Sequence, residues 1–157
     1  MFSKSILQNY IHKKIRQENN GYASSVNYMR DGRIILYSLR DPYIKETLDI
    51  YNGTIEYLEN LKIRSETLNI IKEIYMNSMM ENHNNIKGDN YTIHELAGVE
   101  HIPFMERKKR ILSTSEEDFR RYAGMIKDTI LKDTYCVMGN KTTIIDNCKL
   151  FDSVYEL

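Results

Sequence analysis

Residues 37–61, YSLRDPYIKETLDIYNGTIEYLENL, read as the end of a strand running into an amphipathic helix. Asp41 is placed to accept hydrogen bonds from the first free amides of that helix, with Pro42 at the first helical position, where its missing N–H costs nothing. Ile44, Leu48, Tyr51, Ile55 and Leu58 follow at alternating spacings of four and three, so they line one face that must be buried. Upstream, Arg33–Leu39 (RIILYSL) is rich in β-branched and aromatic residues, and Asp31-Gly32 before it tolerates the positive φ angles of a tight hairpin. Tyr22–Met29 is then the partner strand.

The rest of the chain extends this pattern. Phe2, Ile6 and Tyr10 lie beside Leu7, Ile11 and Ile15 as two adjacent rows, predicting a helix over 3–17 that stops at Asn19-Asn20-Gly21. Ser65 is placed to cap a helix whose face carries Leu68, Ile71, Tyr75 and Met79. The polar stretch 81–91 (ENHNNIKGDNY) has no periodicity and reads as an exposed loop. Thr92 and Glu95 have capping-box spacing for a short helix, and Pro103 breaks the chain ahead of a helix at Phe104–Leu112. Ser113–Ser115 followed by Glu116, Glu117 and Asp118 opens a further helix, with acidic residues at its positive end. Its apolar face carries Phe119, Tyr122, Ala123, Ile126 and Ile130. Thr134–Met138 reads as a short buried strand, Gly139 as a turn, and 141–149 as a closing helix. The pattern is α+β, with a small, mostly antiparallel sheet covered by helices on one face, and residues 1–157 forming a single domain.

Bulk properties narrow the function. A chain of 157 residues has the size of a domain that buries roughly 70% of its unfolded surface. Its 22 basic and 22 acidic residues balance, so no global field favours nucleic acid or an anionic membrane. The local basic clusters, His12–Arg16 and Glu106–Arg110, read as solvated helix faces, and a nucleic-acid role would have to show as salt-dependent binding. No run approaches membrane-spanning length, so the expectation is a soluble chain, intracellular or organellar, with neither nucleic acid nor membrane as partner. Cys136 and Cys148 belong to no paired-cysteine metal motif and are expected to be reduced structural thiols, the first in a buried strand.

Several segments resemble one family in its own order: Tyr-Ser-x-Arg-Asp-Pro at Tyr37, Ser38, Arg40, Asp41 and Pro42, then KETLDIY, ILSTSEEDF at Ile111–Phe119 and YCVMGN at Tyr135–Asn140. The chain is similar to the C-terminal end of zinc metallopeptidases of the insulinase (pitrilysin) family, in the presequence-protease and falcilysin-like branch. The resemblance implies a domain that lacks its first strands here, leaving an orphaned sheet edge able to pair with another chain. It implies proteolysis of peptides within a two-half enzyme whose zinc lies on an inverted His-x-x-Glu-His helix. No two of His12, His83, His94 and His101 are four residues apart, so this chain alone is expected to bind no cofactor and to be inactive. HELAGVEH, from His94 to His101, is better read as polar residues at a helix end and loop than as a metal site.

The resemblance further implies a substrate clamp made of an Arg at a helix end, a glycine-rich turn and a Tyr opening a strand. RQENNGY supplies Arg16 and Tyr22 at the matching separation, with Asn19-Asn20-Gly21 as the turn. A Tyr hydroxyl donates to the oxyanion of an attacked peptide carbonyl, and the Arg fork holds a neighbouring carbonyl. The expected partners are peptide substrates and a zinc-bearing N-terminal portion. Read without the resemblance, the same pair is an Arg satisfying a helix C-terminus and an ordinary strand Tyr. A non-catalytic scaffold or interaction module on the same fold is the alternative function.

Overall fold

The computed structural model describes residues 2–29, 32–85, 102–130, 132 and 134–156. The regular elements of the described residues are six α-helices, one hairpin, a π-helical turn (Lys13–Glu18) and a 3₁₀ turn (Cys148–Leu150): α1 (Phe2–His12), β1 (Ala23–Tyr28), β2 (Ile34–Leu39), α2 (Ile44–Glu59), α3 (Ser65–Asn85), α4 (Phe104–Ser113), α5 (Glu116–Ile130) and α6 (Lys141–Asp146). The result is a small α+β domain. Apart from its first two residues the chain divides into two compact units, one of Ser3–Asn60 with Phe119–Leu157 and one of Leu61–Asp118.

In the first unit the core follows the apolar rows of the sequence. Leu7, Ile11 and Ile15 are wholly buried, as are Val26 of β1 and Leu58 of α2, while Phe119, Ala123 and Ile126 are the buried face of α5. β1 and β2 pair antiparallel with Val26 opposite Leu36 and Ser24 opposite Ser38. That register puts Ser24 and Val26 on the covered face and Ile35 and Leu39 on the open one, since side chains alternate along a strand. Gly32, at φ +89°, supplies the left-handed residue of the hairpin. Asp31 lies outside the described residues.

The two edges of this sheet differ. At β1 the Gln8 side chain replaces a third strand: its amide nitrogen donates to Ser24 O at 2.6 Å, and its oxygen accepts from Val26 N and Ser25 Oγ, each at 2.9 Å. At β2 no described strand pairs with the outer edge. That edge borders a cleft of about 490 Å³ bounded by α2 and by residues 134–138.

Four sequence expectations shift. α2 begins at Ile44, not at Pro42, and its flanking residue Tyr43 is extended (φ −120°, ψ 98°). Asp41 acts from two residues further out, accepting from Tyr43 N at 3.1 Å and from Thr47 Oγ1 at 2.6 Å. Asp41 thus caps through its side chain from outside the helix, binding the amide two residues on and the hydroxyl of the first turn. The most buried line on α2 is Thr47, Thr54 and Leu58, with Ile44, Leu48, Tyr51 and Ile55 half-buried on its flank. Thr134–Met138 is not a buried strand. It alternates in exposure, with Tyr135 and Val137 half-buried and Cys136 and Met138 exposed, and no described strand supplies the ladder that would make it one. Cys136 is therefore an exposed free thiol, like Cys148.

In the second unit α3 opens at Ser65 itself, with Leu68 N–H donating to Arg64 O at 3.0 Å, so Arg64 holds the flanking position expected of Ser65. The Leu68, Ile71, Tyr75, Met79 face is the more buried side of α3, which packs on α4. α3 continues to Asn85, so the first five residues of the 81–91 stretch are helical and not loop. No glycine or proline lies between Ser65 and Gly88. Residues 86–91, and the capping box at Thr92 and Glu95, lie outside the described residues. At the α5 start, where the sequence places acidic residues at the positive end of the helix, Ser115 donates from both N (2.8 Å) and Oγ (2.9 Å) to Asp118 Oδ2.

Candidate functional site

After His12 the first helix widens into a π-helical turn over Lys13–Glu18, closed by Asn19 N–H on Lys14 O at 3.1 Å. Wide turns of this kind recur at functional sites because they re-aim side chains by one position. Arg16 projects from this last turn and is exposed. Asn20 then takes the left-handed conformation at φ 59°, which Asn tolerates through its short polar side chain, so the turn forms without a glycine there. Gly21 is needed for a different reason. Its N–H donates to Ile15 O at 2.8 Å, and a Cβ would stand 2.6 Å from Ile15 Cγ2 and 3.1 Å from Ile15 O. The turn is pressed directly against the buried Ile15.

Tyr22 leaves this turn with 60% of its surface exposed and enters β1. Arg16 and Tyr22 thus flank one tight turn, both open to solvent and neither in packed interior. Two cavities of the first unit are about 890 Å³ within residues 135–156 and the 490 Å³ cleft beside β2, which Arg40 and Asp41 help to line. Neither is lined by Arg16 or Tyr22. Local contacts shape the C-terminal cavity, the Tyr135 hydroxyl donating to Leu150 O and its ring lying 6.0 Å from that of Phe151.

A third residue joins the corner that spacing alone does not reveal. Arg40, at the end of β2, has φ 49°, its carbonyl accepts from Tyr22 N at 3.4 Å, and its guanidinium carbon lies 5.1 Å from the Tyr22 ring centroid. The sequence contains Arg40 within YSLRDP, but no local rule assigns a left-handed backbone to an Arg before Asp-Pro.

Three tyrosines of the unit have phenols shifted upward. Burial pushes the Tyr51 phenol up to about 12, with the Ser38 hydroxyl opposing the shift and the Asp41 carboxylate adding to it. Burial likewise raises Tyr10 and Tyr57, whose rings stack at 4.4 Å. These tyrosines stay neutral at physiological pH and belong to the packing.

The described residues do not fit a zinc ion: among them no three His, Cys, Asp or Glu side chains come together as a ligand set. His94, Glu95, Glu100 and His101 lie outside the described residues. No described helix is long and apolar enough to cross a membrane.

The profile of the PreP C-terminal domain family matches residues 1–143. The chain is 31% identical over 147 residues to Protein HypA of Clostridium perfringens (strain 13 / Type A), covering 92% of this chain and 15% of that protein. It is 29% identical over 132 residues to presequence protease 1, chloroplastic/mitochondrial, of Arabidopsis thaliana, covering 80% of this chain and 12% of that protein. It therefore spans a small fraction of the length of the curated relatives it matches. The corner that carries Arg16, Tyr22 and Arg40 stands in a chain that belongs to the PreP C-terminal domain family, a C-terminal part of an insulinase-family peptidase.

Proposed function

We propose that this chain is the substrate-binding C-terminal portion of a zinc metalloendopeptidase that degrades peptides, with the metal and its ligands on a separate N-terminal portion. The observation that supports it most is the placement of Arg16 and Tyr22, both exposed, on the two flanks of a turn that Gly21 presses against Ile15. A turn fixed in this way sets the spacing of the two backbone positions from which these side chains extend. In this reading the Tyr22 hydroxyl donates to the oxygen of the peptide carbonyl under attack. The Arg16 guanidinium holds a neighbouring carbonyl of the same substrate. Both are donors, so neither requires a proton to be lost before it acts.

The test is substitution in the assembled peptidase. Tyr22→Phe, which keeps the ring and removes the donor, is expected to lower kcat roughly 100-fold. Arg16→Ala is expected to raise KM as well, because it removes a contact made before the chemical step. Unchanged turnover in both variants would sink the clamp and leave a scaffold role. The chain alone is expected to show no peptidase activity, and turnover with stoichiometric zinc in the purified chain would refute that.

A further inference from the structure

We propose that Arg40 is a positioning residue for Tyr22, holding the phenol in place through its guanidinium and its left-handed backbone. The inference rests on the clamp reading of Tyr22 and adds a residue to it.

Arg40 is one of two non-glycine residues with positive φ among the described residues, and the other, Asn20, forms the turn immediately before Gly21 and Tyr22. A left-handed Arg is a strained choice, since a glycine would take the same backbone freely. What that backbone achieves is visible in its contacts. It turns the Arg40 carbonyl onto Tyr22 N at 3.4 Å and brings the guanidinium to 5.1 Å from the Tyr22 ring centroid, inside the range of a cation–π contact. An exposed tyrosine otherwise samples several rotamers, and a flat cation beside its ring narrows them.

The corner behind Arg40 is itself anchored. Asp41 accepts from Tyr43 N at 3.1 Å and from the hydroxyl of Thr47 at 2.6 Å, and Thr47 is buried in the first turn of α2. The residue next to Arg40 is thus tied to the first turn of α2, and Arg40 itself reaches the exposed Tyr22 through its carbonyl and its guanidinium.

The test separates the backbone from the guanidinium. Arg40→Gly keeps the left-handed conformation without strain and deletes the cation, while Arg40→Lys keeps the charge and loses the flat fork. In the 157-residue chain with 13C-labelled tyrosine, Arg40→Gly is expected to move the Tyr22 ring resonances and abolish their cross-peaks to the Arg40 side chain, with the melting temperature unchanged. Arg40→Lys is expected to restore part of the shift. In the assembled peptidase, Arg40→Gly is expected to lower kcat about 10- to 100-fold at nearly constant KM. It should add nothing to Tyr22→Phe, because it acts through the same hydroxyl. Unchanged ring resonances in Arg40→Gly, or losses that multiply with those of Tyr22→Phe, overturn the proposal for Arg40 alone. A silent Tyr22→Phe overturns the clamp and with it any catalytic use of Arg40.

Discussion

The side-chain oxygen of Gln8 accepts the backbone N–H of Val26 at 2.9 Å, and so one polar residue of a helix stands in for a missing neighbouring strand. Its amide nitrogen completes the imitation on Ser24 O at 2.6 Å. Replacing Gln8 by Leu leaves a donor and an acceptor of β1 unsatisfied beside a buried Val26, at a cost of about 1–3 kcal/mol. The midpoint of urea unfolding is expected to fall at constant slope, and the Val26 amide is expected to exchange faster with solvent. Unaltered exchange at Val26 would show that the edge does not depend on Gln8.

Two glycines should respond differently to the same change. At Gly21 a new methyl meets Ile15 Cγ2 at 2.6 Å and Ile15 O at 3.1 Å, a branched buried side chain and a backbone atom, neither with room to withdraw. Gly21→Ala is expected to cost about 2 kcal/mol or more, by the overpacking it forces. At Gly53, inside α2, the methyl meets only the Tyr10 hydroxyl at 2.7 Å, the far end of a side chain. Ala there recovers about 1 kcal/mol of helix propensity against the displacement of the Tyr10 ring from its stack on Tyr57. Gly53→Ala should therefore be close to neutral, and thermal unfolding of the two variants side by side decides the matter. Equal destabilisation would mean that the Ile15 contact is not what fixes the turn.

These contrasts mark what the sequence makes legible. The rows Leu7, Ile11, Ile15 and Phe119, Ala123, Ile126 announce themselves by period, because burial of a helix face leaves a repeating trace in composition. The hairpin is equally clear from Gly32 and the β-rich runs beside it. Gln8 is not legible, since a polar residue between apolar rows looks like surface until the strand it serves is in place. Thr134–Met138 has strand composition, but a strand also needs a partner ladder, and composition carries no information about that. Asp41 shows the same limit at smaller scale: it is a capping residue, but it acts from two positions further out than the sequence places it. Arg16 and Tyr22 are singled out by the family resemblance and not by spacing, and Arg40 comes into view only through its φ angle and its distance to the Tyr22 ring.

The open edge of β2 carries a consequence for the isolated chain. Ile35 is 40% exposed on that strand, which pairs with no described strand beyond β1. An unpaired edge with an apolar residue is a template for pairing with another copy. Purified chain is expected to self-associate as concentration rises, and Ile35→Lys is expected to suppress this by placing a charge on the edge strand. Sedimentation velocity over a concentration series checks both. A wild-type chain that stays monomeric throughout would show that the cleft beside β2 is already closed to a second strand.

Tyr51 sets an alkaline limit to stability. Its phenol, half-buried on the flank of α2, is raised from the ordinary 10.0 to about 12, chiefly by burial. A raised value means that the folded state holds the proton more tightly than the unfolded state does. The stabilisation from the neutral phenol is therefore complete below about pH 10 and is lost as the pH climbs toward 12. Discounted for solvent screening of a group that is not fully enclosed, the loss attributable to this residue is about 1–2 kcal/mol. Tyr51→Phe removes the titrating group, so its stability should fall less steeply across that interval than that of the parent. Tyr10 and Tyr57, raised in the same direction, keep a residual slope in the variant. Unfolding free energies measured by urea titration at several pH values give the comparison, and tyrosinate absorbance identifies the group. Parallel profiles for parent and variant would show that the Tyr51 proton is not linked to folding.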